Sequence, residues 1–445
     1  MQGQQFTSTF GFLMAATGFA VGLGNIWRFP YMTGENGGGA FVFVYVICVV
    51  IIGIPIMMAE IMAGRNGRAN PPQAVLNISR REGRAVGWRH IGNLNLITAF
   101  IILGTYCVIA GWVLWYLYKA VMTGFAGVDA EIASQNFVAA LSNIGAMTLW
   151  TGLSLLLTGA IIFLGVNQGI ERCVRVLMPV LLILITGLVL YNVFQDGFSA
   201  ALSYLFSPDF SKIDGGTFLA AVGQAFFSVG VAMAGMMIFG SYLPDGVSIT
   251  RCALIIVTID TLVALLAGLM IFPMVFRFGL DPASGTGLIF QTLPIAFAQM
   301  PGGYLVAVIF FTLLAVAAVT SMVGLLEPLV AWLSEQRGLT RAKSTAAMLG
   351  LLGALGIISV LSYNLIAGVQ VMNLDLNGIL DFVSSQITLP VGGLLIAVFV
   401  GWQVSRETLR AELADLPELA FNVWHLLIRY LLPVAITTIL VTGLL

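Results

Sequence analysis

The stretch "TGFAVGLGNIWRFP", residues 17–30, lies inside the first of many long apolar runs, yet it does not suit an uninterrupted membrane helix. Gly18, Gly22 and Gly24 loosen it, and Asn25, Arg28 and Pro30 follow. A helix in lipid must satisfy its own backbone, and every N–H or carbonyl freed by an unwound turn is costly unless something binds it. Freed carbonyls suit a hard cation, and the N-terminus of a half-helix suits an anion. The glycines alone would read as close helix packing, since Gly18 and Gly22 have the small-xxx-small spacing. Asn25 and Arg28 change that reading, because polar and charged side chains within a membrane are expensive and mark ligand pathways.

Around this stretch the chain of 445 residues is 59% hydrophobic and only 9% charged. A soluble domain carries about a quarter charged residues, so this composition belongs to an integral membrane protein. Apolar runs long enough to cross a bilayer are predicted at 8–33, 39–64, 88–122, 147–164, 170–193, 216–241, 249–276, 304–335, 345–363, 379–402 and 419–444, giving spans 1 to 11. The first residues, "MQGQQF", have no basic region and no small-residue cleavage site, so no removable signal peptide is expected. The loop after span 2 holds Arg65, Arg68, Arg80, Arg81, Arg84 and Arg89, and the loop after span 8 holds Arg337, Arg341 and Lys343. The positive-inside rule then places the N-terminus in the cytoplasm and, with an odd number of spans, the C-terminus outside the inner (cell) membrane.

Several chemistries find little to work with. Cys48, Cys107, Cys173 and Cys252 show no paired spacing, and His90 and His425 are the only histidines. Neither a transition-metal centre nor histidine-based catalysis is expected. An enzyme built on the intramembrane acids would need a nucleophile with a neighbouring base, and none is apparent. No polar stretch is long enough for a soluble domain, so residues 1–445 read as one transmembrane domain with no nucleic-acid partner.

A second break occurs in span 6, "FFSVGVAMAGMM", where Ser228, Gly230 and Gly235 interrupt an apolar run. Interrupted spans at matching places suggest two repeated halves. These would be spans 1 to 5 (8–193) and spans 6 to 10 (216–402), with span 11 (419–444) added. Five is odd, so the second half would enter from the opposite side.

The segment "GFAVGLGNIWRFPYMTGENGGGAF" (18–41) resembles the signature of the neurotransmitter:sodium symporter (SNF) family. The resemblance continues through "IPIMMAEIMAGR" (54–65), "GIERCVRVLMP" (169–179), "AAVGQAFFSVGVAMAG" (220–235) and "VTSMVGLLEPLVAWL" (319–333). It implies an all-α membrane protein of 11 transmembrane helices, with an inverted 5+5 repeat in the leucine-transporter-like fold and discontinuous helices 1 and 6. It also implies a sodium-coupled symporter working by alternating access.

Two sodium sites follow from the resemblance. The first would use Ala20, Asn25, Ser228 and Asp260 with the substrate carboxylate, and the second Gly18, Val21, Ala317, Thr320 and Ser321. Without the resemblance, Thr320 and Ser321 would read as hydroxyls bonding back to their own helix. Tyr106 would bind the substrate carboxylate and Phe227 would close over it. The remaining pocket would comprise Phe19, Ala20, Gly22, Gly24, Ile102, Ser228, Gly230, Met233, Ser321, Met322 and Leu325, apolar and roomy. Gly22 stands where amine-transporting relatives place an aspartate, so the ligand is expected to bring its own carboxylate. That points to a neutral, hydrophobic amino acid of medium to large size. A small amine or sulfonate, or an amino acid sensor that moves nothing, stays open.

Arg28 and Asp381 occupy the positions of an extracellular gate pair. Asp260 in "VTIDTLVALLAG" is expected to supply the negative charge that chloride supplies in other members, and to take a proton on the empty return step. Glu60 is expected to bond the unwound backbone of span 6, while Glu327 has no assignment. The family's basic inner-gate residue and tryptophan are replaced by Gly3 and Phe6, although Glu335 stands where the acidic partner belongs. Ala232 replaces a glycine of the span 6 turn. The chain is expected as a monomer or weak dimer in the lipid bilayer.

Overall fold

The computed structural model describes residues 5–444, apart from 284, 286, 372 and 373. Gly3 lies outside the described residues. Among them, nine helices are long and apolar enough to cross a membrane. A tenth crossing is the bent pair Thr9–Ala20 and Gly24–Glu35, which turns by 44° at its break. The remaining expected crossing, span 6, is divided into Gly215–Val229 and Gly235–Ser241. Apart from one bridge between Val371 and Leu374, the described secondary structure is helical.

Burial separates an inner set of spans from an outer one. Span 3 (Val86–Thr123) and span 8 (Gly303–Arg337) each bury 72% of their apolar windows, whereas span 5 (Val166–Val193) buries 33% and span 11 (Glu418–Val441) 28%. Apolar surface that faces no protein must face lipid, so the first pair forms the scaffold and the second the perimeter. The two broken spans pack against that scaffold.

The break in span 1 has a local cause. Val21 takes an extended conformation (φ −72°, ψ 100°) and ends the helix, its N–H donating to the Thr17 carbonyl at 2.7 Å. The chain re-enters a helix as a wide turn at Gly24–Arg28, with the Gly22 carbonyl accepting from the N–H groups of Asn25 and Ile26. In span 6 the helix ends as Gly230 swings to φ +72°, and Ala232 (φ +63°) and Ala234 (φ +66°) complete the turn. Left-handed backbone suits glycine and costs other residues about 1–2 kcal/mol. Ala232 is held there by Glu60, whose Oε1 accepts from its N–H at 2.7 Å.

Candidate functional site

The two breaks meet, and their freed backbone groups find named partners. The Gly22 N–H donates to Asn25 Oδ1 at 3.1 Å, and the Leu23 N–H donates to the Tyr106 hydroxyl at 3.1 Å. Ser321 Oγ reaches from span 8 to the carbonyls of Phe19 at 3.1 Å and Gly18 at 3.5 Å. Gln224 Nε2 of span 6 donates to the Gly24 carbonyl at 2.8 Å, tying one break to the other. A side chain at Gly22 would be impossible without rearrangement, because its Cβ would fall 2.1 Å from Ser321 Oγ and 2.9 Å from the Tyr106 oxygen.

A polar cluster occupies the far wall of this meeting point. Asn25 Nδ2 donates to Asp260 Oδ1 at 2.8 Å, to the Asp260 carbonyl at 3.0 Å and to Ser228 Oγ at 3.0 Å. Ser228 Oγ in turn donates to Asp260 Oδ2 at 2.7 Å, and the Tyr45 hydroxyl lies 3.0 Å from the same Oγ. Asn25, Ser228 and Asp260 are all fully buried. The structure therefore gathers three of the four residues expected around the first sodium, with Ala20 in the adjoining cavity wall. Asn25 turns its amide nitrogen, not its oxygen, toward the carboxylate. A cation placed there needs the amide turned about, a rotation of one side-chain torsion that also gives up the bond from the Gly22 N–H. Tyr45 and Gln224 were not anticipated; each is a lone polar group in an apolar run, and that isolation was the available signal.

Of the residues expected around the second sodium, Gly18, Ala317, Thr320 and Ser321 lie together between span 1 and span 8. Thr320 Oγ1 stays on its own helix, donating to Val316 at 3.0 Å and Ala317 at 3.1 Å, while Ser321 crosses to span 1. Gly18 faces the same seam, since a Cβ on it would stand 3.4 Å from Thr320 Cβ. Oxygen from carbonyls and hydroxyls is what a hard cation prefers.

Two expectations about the pocket need correction. The cavity lined by Phe19, Ala20, Gly22, Gly24, Ile102, Tyr106, Phe227, Gly230, Met233, Ser321 and Leu325 holds only about 20 Å³ and is not roomy. Its space is taken by the Phe19 ring, which fills a slot walled by Gly230, Gly235 and Gly324 and meets Phe239 edge to face at 6.1 Å. Met322 does not line it either: its sulfur faces Thr158 of span 4 (Ile144–Phe163) at 3.7 Å. On a helix, Ser321 and Met322 point about 100° apart, so only one of the two can face span 1.

Above this cavity a second one of about 340 Å³ contains both Arg28 and Asp381. The two do not form an ion pair within 4.0 Å among the described residues; instead the Arg28 guanidinium stacks over Phe227 at 4.6 Å, and its Nη1 is buried without a hydrogen-bond partner. At the opposite end Glu335 accepts from the Asn70 backbone and side chain, and among the described residues it forms no hydrogen bond with the N-terminal segment. That segment is held by other groups. Thr7 donates from its N–H (2.9 Å) and hydroxyl (2.6 Å) to the buried Glu171, which also pairs with Arg175 at 2.5 Å. Phe6 packs against Phe12, Phe239 and Tyr242. Nearby, Glu327 receives the assignment that sequence withheld: it accepts from Tyr242 at 2.7 Å and from two nitrogens of Arg341 at 2.5 and 3.1 Å.

The family model described as "Sodium:neurotransmitter symporter family" matches residues 3–130 and 130–445. An uncharacterized sodium-dependent transporter of Bacillus subtilis, YhdH, is 34% identical over 97% of this chain and 96% of its own length. An uncharacterized sodium-dependent transporter of Haemophilus influenzae is 32% identical over 100% and 98%. Among solved structures, that of MhsT in complex with L-phenylalanine superposes with a TM-score of 0.93, at 36% identity over 99% of both chains.

Proposed function

Because the chain belongs to the sodium:neurotransmitter symporter family, we propose that this sodium-dependent, multi-pass transporter imports a neutral, hydrophobic amino acid across the inner membrane by alternating access, without chloride. The observation that carries the reading is the convergence of Asn25, Ser228 and Asp260 beside two unwound spans. The Asp260 carboxylate is held by two side-chain donors, so in its ionised form it gives a sodium ion beside it a counter-charge within the protein. Gly22 contributes no acid for an amine, and the Tyr106 hydroxyl, which accepts from the Leu23 N–H, keeps its own proton to donate to a ligand carboxylate. The likeness to MhsT, whose structure was solved in complex with L-phenylalanine, supports an amino acid of that character.

In the proposed cycle, two sodium ions bind, the first with Ala20, Asn25, Ser228 and Asp260 and the second with Gly18, Val21, Ala317, Thr320 and Ser321. The substrate carboxylate completes the first site. Phe227 and the Arg28–Asp381 pair then close above it, worth little while solvated and more once water leaves. The cytoplasmic side opens when Glu171 releases Thr7 and when Tyr242 and Arg341 release Glu327. Each sodium gains about 2.3 kcal/mol on crossing 100 mV and about 1.4 kcal/mol per tenfold gradient. Two ions thus supply roughly 7 kcal/mol, sufficient to concentrate substrate by about five orders of magnitude. The inverted arrangement of spans 1 to 5 and 6 to 10 gives the two outward and inward forms related geometry.

The test is a thermal-shift or scintillation-proximity screen of the twenty amino acids on purified protein, in sodium and in potassium, each with chloride and with gluconate. Stabilisation by a few hydrophobic amino acids in sodium with either anion is the expected result. Absence of any sodium-dependent amino acid ligand would overturn the substrate assignment, and loss of binding in gluconate would overturn the role of Asp260. Counterflow in proteoliposomes separates a carrier from a sensor.

A further inference from the structure

A groove of about 700 Å³ opens on the outside of the helix bundle, away from the substrate cavity, between span 3, span 8, span 9 (Arg341–Ser362) and the connecting helix Pro71–Arg81. Its two ends differ in chemistry. Arg89, His90 and Asn93 stand at one end, and Leu96, Ile97 and Phe100 continue down the same helix, with Met348 and Leu351 opposite. Along span 3 the change from polar to apolar falls just after Asn93 and Asn95, where the continuous apolar run toward Thr123 begins. The groove therefore straddles the level at which headgroups give way to hydrocarbon, and Trp332, a residue type favoured at that level, lines it too. From Arg89 to Phe100 the helix rises about 16 Å, about half of the ~30 Å hydrocarbon thickness. Arg89 has no ion pair or hydrogen bond among the described residues, in contrast to its neighbours Arg81 and Arg84. Ile97 and Leu351 are each 54% exposed, so the apolar end is open to the bilayer rather than sealed by protein.

From this juxtaposition of an unpaired guanidinium with an apolar channel open to lipid, we infer that the groove is a binding site for one anionic glycerophospholipid, its phosphate on Arg89 and one acyl chain between Ile97, Phe100 and Leu351. His90 and Asn93, which already bond one another at 3.1 Å, supply further polar groups at headgroup level. An aqueous ligand would not use the apolar end, and a zwitterionic lipid would bring an ammonium toward Arg89. The walls belong to the two spans that also carry Tyr106 and Ser321, so an occupied groove braces the scaffold of the transport site.

The experiment is native mass spectrometry of the full chain in detergent, with phosphatidylglycerol and phosphatidylcholine of matched chains at equal concentration. One phosphatidylglycerol is expected to be retained per chain with about fivefold preference, equivalent to ~1 kcal/mol, the worth of one basic residue near a membrane surface. Arg89→Gln should bring the preference close to one, while Arg251→Gln, an exposed cation outside the groove, should leave it unchanged. Leu351→Trp, or Ile97→Trp should the first variant fold poorly, should fill the channel and remove the retained lipid whatever its headgroup. Equal retention of the two lipids by the unaltered chain, an equal loss in Arg251→Gln, or full retention in the tryptophan variants would each overturn the assignment.

Discussion

Replacing Arg341 by methionine keeps the length of the side chain and removes its charge, which strands the Glu327 carboxylate. That carboxylate is fully buried, the guanidinium is 18% exposed, and two of its nitrogens approach the acid at 2.5 and 3.1 Å. Arg341 Nε also donates to the Ile162 carbonyl at 2.7 Å, so one side chain joins span 8, span 9 and the end of span 4. After the substitution only the Tyr242 hydroxyl remains on Glu327. Removing one partner of a buried pair costs about 3–5 kcal/mol, chiefly because the other charge is left unpaired, whereas replacing both by apolar groups is close to neutral. Arg341→Met should therefore lose about 3–5 kcal/mol, and the double variant Glu327→Leu/Arg341→Met should recover most of it. Reversible SDS unfolding followed by tryptophan fluorescence, run as a double-mutant cycle, measures both figures. Because Tyr242 caps the second half of span 6, the single variant should also render the cytoplasmic side more open, read as faster labelling of a cysteine placed at Thr7. A loss below about 1 kcal/mol in Arg341→Met, or a double variant whose loss is the sum of the two single ones, would refute the reasoning.

Further predictions concern the transport site. Gly22→Ala should abolish sodium-dependent ligand binding, because the added Cβ collides with Ser321 and Tyr106, whereas Gly152→Ala, which meets nothing within 4 Å, should bind normally; thermal shift with ligand distinguishes them. Asp260→Ser should bind ligand in sodium chloride and fail in sodium gluconate, since the donors on Asn25 and Ser228 would then need an external anion; equal affinity in both salts would be contrary. Ala232→Gly should raise unfolding stability by about 1 kcal/mol, because it relieves a non-glycine residue at φ +63°. Phe19→Ala should cost about 3 kcal/mol of stability, enlarge the 20 Å³ cavity and shift competition for binding toward bulkier amino acids.

Hydrophobicity and its interruptions determined most of the architecture. Runs near twenty apolar residues fit spanning helices, and span 8, predicted at 304–335, is observed at Gly303–Arg337 because a single chain segment in lipid satisfies its backbone as a helix. Glycines followed by Asn25 and Arg28 marked the break in span 1 for the same reason. Asn25 could be named because it lies beside the break in span 1, whereas Ser321, inside the unbroken span 8, could be named only through the resemblance of its motif to the family's. What the sequence could not supply was everything that depends on which side chains face each other across the bundle. Neither the direction of Met322 nor the filling of the pocket by Phe19 is a property of one helix; both follow from how span 1 leans on the glycines of spans 6 and 8. Glu327 and Arg341 are 14 residues apart across a turn, and Glu171 meets Thr7 from 164 residues away. No periodicity records such pairs, because a charge in a membrane protein is stabilised by whatever the fold brings to it, and that partner is chosen by tertiary packing alone.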